Sequence, residues 1–171
     1  LDMALHSIAY AAKDDLHGRV ADCSREGFLQ AMDVSCHSFI RMAKLAEGLM
    51  PQGGVLFTMS YYGAEKVVPH YGLMGPVKAA LEAVTRYLAD ELGEKHIRVN
   101  AISPGPIFTR AASGIQDFAA LAKEAQTNAP TGRLTTIDEV GKTVAWLSMD
   151  DAARSITGQV LYVDGGAHIM G

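Results

Sequence analysis

The sequence predicts an α/β fold, a doubly wound parallel sheet covered by helices, with residues 1–171 forming a single domain. Three observations predict it. Strand-like and helix-like segments alternate along the chain without an internal repeat or a low-complexity linker. The segment VLFTMS at 55–60 is short and apolar, a profile typical of a strand buried on both faces. The segments between the strands are long, and parallel neighbours require such connections.

The first half of the chain is predicted to contain two strands and two long helices. A strand covers about residues 2–8, and a loop continues to about residue 22. Apolar residues then recur at helical intervals between 25 and 50, with Ser24 as the N-cap, which predicts one long helix. The segment PQGG at 51–54 ends that helix before the strand at 55–60. A second long helix begins near Tyr71 and runs to about Leu92.

The second half begins with the strand IRVNAIS at 97–103, which a sharp PGP turn follows at 104–106. Residues 107–131 are predicted to be only partly regular. Thr136 and Glu139 have the spacing of a capping box, which opens a helix that ends near residue 149. The segment GQVLYVDGG, from Gly158, predicts the last strand and its turn.

Composition excludes several classes of function. Of the 171 residues 49% are hydrophobic and 20% charged, which indicates one well-buried core. A net charge of -4 with 15 Lys and Arg residues lacks the basic excess of a nucleic-acid binder. No apolar run reaches the ~18–20 residues of a membrane span. Cys23 and Cys36 form neither a disulfide framework nor a C-x-x-C pair, which favours a cytoplasmic protein. The histidines lack metal-ligand spacing, and no G-x-S-x-G hydrolase motif is present.

The segment MSYYGAEKVVPHYGLMGPVK at 59–78 places two phenols and an amine, Tyr61, Tyr71 and Lys78, close together. Tyr61 directly follows a strand, where ligands bind in open parallel sheets. Pro76 lacks an N–H group and is tolerated only in a first helical turn, which places Tyr71 at or just before the helix start. A phenol there can donate to an oxygen that gathers negative charge, and the lysine adds a cation. By spacing alone a simpler interpretation is favoured, with amphipathic surface tyrosines and a solvated lysine.

Further motifs change that balance. The segments IRVNAISPGPIFT and VDGG, with a Tyr–Lys pair before a long helix, resemble the short-chain dehydrogenase/reductase superfamily, whose fold is of the Rossmann type. Classical members place Tyr and Lys four residues apart, but the residue four after Tyr71 is Gly75. The spacing of Tyr61, Tyr71 and Lys78 instead resembles the NADH-dependent enoyl-[acyl-carrier-protein] reductases of bacterial fatty-acid synthesis. HSIAYA, REGF and RVNAISPGPIFTRAASGI extend this resemblance almost from end to end.

The resemblance implies an activity and its residues. The expected reaction is reduction of the C2=C3 double bond of a trans-2-enoyl-acyl-carrier-protein by NADH, the last step of the type II elongation cycle. Tyr71 is expected to hydrogen-bond the thioester oxygen, Lys78 to hold the nicotinamide ribose, and Tyr61 to be a second active-site tyrosine. The resemblance implies cofactor contacts at Ile8, Lys78, Ile107, Phe108, Thr109, Arg110 and Ala111. It implies substrate contacts at Ala11, Tyr61, Tyr71 and Met74.

Two of these segments have simpler explanations without the resemblance. PGPIFTRAA is at about even odds an ordinary tight turn. The uncharged residues between 111 and 118 could close over an acyl chain with Met74 and Tyr61, although an amphipathic helix packed on the core is the preferred explanation from the residues alone.

No glycine-rich dinucleotide motif follows a strand, and LDMALHSIAYA resembles the fourth strand of the family, so about 85 residues in three βα units are expected to be missing. Two interpretations stay open. The chain is part of an NADH-dependent enoyl reductase, or it is a truncated, inactive assembly or interaction module; another short-chain reductase is a further alternative. The long helices, apolar on more than one face, favour packing between subunits, and the resemblance implies a homotetramer. The sequence does not decide between NADH and NADPH.

Overall fold

The computed structural model describes residues 1–109, 112, 115 and 117–170. Its centre is a sheet of four parallel strands in the order β1-β2-β3-β4. These strands are β1 (Met3–His6), β2 (Gly54–Met59), β3 (Ile97–Pro104) and β4 (Val160–Val163). The predicted fold class is therefore confirmed. Parallel pairing aligns the carboxyl ends of the strands at one edge of the sheet, where ligand sites form in such folds.

Helices connect the strands and cover both faces of the sheet. They are α1 (Lys13–His17), α2 (Arg25–Met32), α3 (Ser38–Glu47), α4 (Met74–Gly93), α5 (Phe118–Asn128), α6 (Ile137–Ser148) and α7 (Asp150–Ala153). Short 3₁₀ turns lie at Val20–Asp22, Tyr62–Ala64 and Ala167–Ile169. None of the helices in the described part of the chain has the length and apolar character needed to cross a membrane.

Alternation along β2 divides the core into two layers. Leu56 packs with α2, α3 and α4, whereas Val55 and Phe57 pack with α6 on the opposite face. Neighbouring strand residues point to opposite faces, so an uninterrupted apolar run supplies both layers. This observation explains why VLFTMS predicts a central strand.

The predicted single helix over 25–50 is wrong in one respect. Ser24 caps α2 as expected, accepting a hydrogen bond from the Gly27 N–H at 2.9 Å. A π-helical segment, Asp33–His37, separates α2 from α3. Within it the Ser35 hydroxyl accepts from the Tyr10 N–H at 2.8 Å and donates to the Tyr10 carbonyl at 3.0 Å. The π-helical segment thus contains a residue that bonds to one 25 positions away in the sequence. The periodicity of apolar residues carries no information about such a contact.

Three other boundaries bear on the site. The first strand ends at His6 rather than near residue 8, so Ile8 lies in the segment that follows it. α4 begins at Met74, which places Pro76 in the first turn and Tyr71 three residues before the helix, as the proline predicts. Within the partly regular stretch 107–131, residues 118–128 form α5.

The capping box at the start of α6 is confirmed in both directions. Glu139 N–H donates to the Thr136 hydroxyl at 3.2 Å, and the Thr136 N–H donates to the Glu139 carboxylate at 2.9 Å. The helix that it opens ends at Ser148, close to the predicted end.

Candidate active site

A cavity of about 400 Å³ opens at the carboxyl edge of the sheet. Its walls are the segment after β1, the end of β2, the start of α4 and the segment after β3. The structure brings most of the predicted site residues to this cavity: Ile8, Ala11, Tyr61, Tyr71, Met74, Lys78, Ile107 and Thr109. Residues up to 101 positions apart in the sequence therefore share one pocket, to which β2 contributes Met59 and β3 contributes Pro104.

The two tyrosines form a close pair. Their rings meet edge to face, with centroids 4.9 Å apart and planes inclined by 64°. Tyr61 extends from the end of β2 and is half-buried, whereas Tyr71 precedes α4 and is 7% exposed. Their position beyond a strand and before a helix places both at the carboxyl edge of the sheet.

Burial keeps both phenols protonated. It raises the pKa of Tyr61 to about 12, with smaller effects of Tyr62 and Glu124. Burial, followed by the nearby Tyr61 and Glu82, also raises the pKa of Tyr71 well above its usual range. At neutral pH each tyrosine is thus a hydrogen-bond donor and not a base.

The Tyr71 ring packs closely against Gly63. A Cβ at position 63 would lie 2.4 Å from Cδ1 and 2.8 Å from Cε1 of the Tyr71 ring. These distances are shorter than any ordinary van der Waals contact. The ring therefore packs against bare backbone, and only glycine at position 63 permits this packing.

Lys78 is a buried cation in the first part of α4. It is 5% exposed, and its Nζ donates to the Met59 carbonyl at 2.6 Å. Burial lowers the pKa of Lys78 to about 8, against the opposing effects of Cys36 and Glu82. An ammonium carries three donors, so the bond to Met59 leaves donor capacity for a ligand hydroxyl in the cavity.

Phe108 is the one described residue of the predicted site that the structure places outside the cavity. The PGP turn is fixed to β4, because the Gly105 N–H donates to the Val163 carbonyl at 3.0 Å. Beyond it, Ile107 and Thr109 line the cavity, but the Phe108 side chain is 64% exposed and packs edge-on against Phe118.

Arg110 and Ala111 lie outside the described residues. The roles of all the site residues remain predictions.

The pocket fits the nicotinamide ribose end of a dinucleotide. The buried Lys78 ammonium and the Thr109 hydroxyl provide polar partners, and Ile8, Ile107 and Met59 provide apolar walls for a flat ring. In the described part of the chain no group of three or more His, Cys, Asp or Glu residues is arranged to hold a metal ion.

Comparison with known proteins identifies the family. The model of the family described as enoyl-(acyl carrier protein) reductase matches residues 1–168. The chain belongs to the enoyl-(acyl carrier protein) reductase family. Enoyl-[acyl-carrier-protein] reductase [NADH] 1 of Rhizobium meliloti (strain 1021) is 50% identical over 171 residues, which are 100% of this chain and 62% of that relative. The chain thus spans less than two-thirds of the length of this relative.

Solved structures of the enoyl reductase family show the same fold. The enzyme of Anaplasma phagocytophilum, crystallised in complex with NAD, superimposes with a TM-score of 0.94 at 48% identity, covering 100% of this chain and 65% of that one. The NADH enzyme of Aquifex aeolicus VF5 superimposes with a TM-score of 0.95 at 49% identity, covering 100% and 66%. The sheet and helices of this chain therefore correspond to part of an enoyl reductase.

Within this enoyl reductase fold the structure adds residues that the sequence analysis did not single out. Ser60 lines the cavity beside Tyr61, and its hydroxyl donates to the buried carboxylate of Glu82. A signal was present: Glu82 follows Lys78 by one helical turn, on a stripe of α4 that is largely apolar. A charged residue at a core-facing position is the observation that could have identified it.

Proposed function

We propose that this protein is an NADH-dependent enoyl-acyl-carrier-protein reductase, which reduces the C2=C3 double bond of a trans-2-enoyl thioester in the last step of type II fatty-acid elongation. The observation that carries the proposal is the convergence of Tyr61, Tyr71 and Lys78 on one cavity at the carboxyl edge of the sheet. The names of its relatives, which specify NADH, support the same reaction and cofactor.

The interval between Tyr71 and Lys78, wider than in the classical short-chain reductases, suits an enoyl substrate. When bound, NADH supplies the hydride that this reaction adds to C3. Negative charge then gathers on the thioester oxygen, several bonds away, so the donor has to lie further from the nicotinamide than in a ketone reductase. Tyr71 is proposed to donate to that oxygen, since its high pKa keeps the phenol protonated.

The other residues hold and enclose the reactants. Lys78 is proposed to donate to the ribose hydroxyls, and Tyr61 to line the thioester subsite against Tyr71. Ile8 and the segment 107–111 are proposed to contact the cofactor. Ala11 and Met74 are proposed to contact the acyl group, for which the apolar Ile115 and Phe118 provide a further wall. These apolar side chains are proposed to keep water from the reacting carbons.

Assembly and location are inferred on similar grounds. Large apolar side chains are exposed on α3, including Leu45 at 73% and Ile40 at 37%. Exposed apolar helix faces suit subunit contacts, and we infer a homotetramer that acts in the cytoplasm on acyl-carrier-protein substrates. Sedimentation equilibrium would measure the assembly, and a monomeric mass would contradict it.

The reaction is tested by following NADH oxidation spectrophotometrically with a trans-2-enoyl thioester, after the intact mass of the protein is recorded. We expect turnover of the enoyl thioester and none of a 3-ketoacyl thioester. Tyr71→Phe removes one hydroxyl and should lower kcat by about 10²-fold. Tyr87→Phe makes the same change at an exposed position of α4 and should leave kcat unchanged.

Two results would contradict this proposal. Turnover of the ketone with none of the enoyl thioester would indicate another short-chain reductase. Absence of both activities in a folded protein would favour an inactive assembly module.

A further inference from the structure

Two charged residues interrupt the apolar stripe by which α4 packs on the sheet. Lys78 and Glu82 are 5% and 6% exposed and lie among Leu81 and other buried residues of the same face. Burying a carboxylate is costly, and apolar residues at such positions usually give equal or greater stability. The presence of Glu82 there therefore requires a reason other than packing.

The two charges hold consecutive residues of the neighbouring segment. Lys78 Nζ donates to the Met59 carbonyl at 2.6 Å, and the Glu82 carboxylate accepts the Ser60 hydroxyl. Lys78 and Glu82 are one helical turn apart, about 6 Å along the axis. The end of β2 is thus attached to α4 at two successive points.

The next residue of that segment is Tyr61. Its ring packs on Tyr71, which lies three residues before the helix that carries Lys78 and Glu82. The bond between Ser60 and Glu82 therefore joins the two segments whose ends carry the tyrosine pair. Ser60 is also fixed from the sheet side, because its N–H donates to the Ile102 carbonyl at 2.7 Å.

We propose that Glu82 is a positioning residue of this site: through Ser60 it fixes the end of β2 on α4, and it places a carboxylate one helical turn from the buried Lys78. The proposal rests on the function proposed above. Glu82 is not a catalytic residue, since it does not line the cavity.

Ionisable groups from several elements act on this pair. Burial raises the pKa of Glu82, as does Glu65, while the Ser60 hydroxyl and the cations Arg86 and Lys78 oppose that change. Tyr162 of β4 and Tyr71 lie within electrostatic reach of Glu82. Lys78 is faced by Cys36 of the π-helical segment and by His6 of β1.

A direct test measures Lys78 without substrate. The ε-methylene shifts of ¹³C-labelled lysine are followed against pH, with the Lys78 signal assigned from Lys78→Arg. Glu82→Gln keeps an acceptor for Ser60 but removes the charge. We expect the midpoint of Lys78 to fall by about one pH unit, the lower end of the effect of a nearby opposite charge. Glu91→Gln, an exposed change on the same helix, should leave it unchanged.

Turnover supplies the second readout. In Glu82→Gln the alkaline limb of kcat/KM should move down with the Lys78 midpoint, which lowers kcat/KM about fivefold at pH 8. Ser60→Ala should lower kcat without moving that midpoint. If Lys78 titrates with the same midpoint in the Glu82→Gln protein as in the wild type, the proposal is overturned. If the midpoint moves but no enoyl thioester is reduced by the wild-type protein, the proposed function fails instead.

Stability separates positioning from packing. The double variant Ser60→Ala/Glu82→Met replaces both polar partners by apolar groups, a change that is often neutral for stability. We expect its Tm to equal or exceed that of the wild type while kcat falls. A lower Tm with wild-type kcat would show that the pair is merely structural and would overturn the proposal.

Discussion

Gly63→Ala tests whether the position of the Tyr71 ring controls the chemistry. The new Cβ would lie 2.4 Å from Cδ1 of Tyr71, whereas an ordinary contact requires at least 3.4 Å. The ring must therefore withdraw by about 1 Å, and misplacing a reactive group by that distance can cost 10²-fold in rate. The backbone at position 63 is not in the left-handed region, so alanine meets no conformational strain there. We expect kcat for enoyl reduction to fall by about 10²-fold.

The assay is steady-state NADH oxidation with an enoyl thioester, accompanied by NADH binding and urea unfolding. Binding should change little, because Lys78 is not displaced, and unfolding should show a loss of about 1–3 kcal/mol from overpacking. Gly141→Ala is the matched control. Its Cβ would have no neighbour within 4 Å, so the change should leave kcat unaltered and stabilise α6 by up to about 1 kcal/mol. Wild-type kcat in Gly63→Ala would refute the reasoning.

Three further predictions concern stability. Folding lowers the pKa of Lys78 from 10.5 to about 8, so between these pH values the unfolded chain binds more protons. Lys78 should therefore make the free energy of unfolding rise with pH over that window. Urea unfolding at several pH values should show a smaller rise in Lys78→Met. An equal rise in the variant would contradict the lowered pKa of Lys78. Asn100 is fully buried and bonds the Ile156 carbonyl and the Gln159 N–H at 2.9 and 3.1 Å, so Asn100→Ala should cost about 2 kcal/mol in the same assay. Thr136→Ala removes the cap of α6 and should cost about 1 kcal/mol, whereas an unchanged unfolding midpoint would show that the cap is dispensable.

The order of elements followed from local patterns. The apolar run at 55–57 of β2 supplies both core layers, and the spacing of Thr136 and Glu139 encodes a cap that needs only its own turn. The π-helical segment could not be predicted in this way. It contains Ser35, which bonds to Tyr10, and the fold brings these two residues, 25 positions apart, together.

The candidate site also combines features that local sequence determines with features that depend on tertiary contacts. The sequence by itself predicted that Tyr61, Tyr71 and Lys78 lie close together, because Pro76 locates the helix start and the intervals between them are a property of the chain, while their roles stay predictions that rest on the family resemblance. Only the tertiary structure decided how they are held: Gly63 admits the Tyr71 ring, and Ser60 meets the Glu82 carboxylate. The physical reason is that periodicity and capping act within a few residues, whereas these contacts join segments that the sheet brings together.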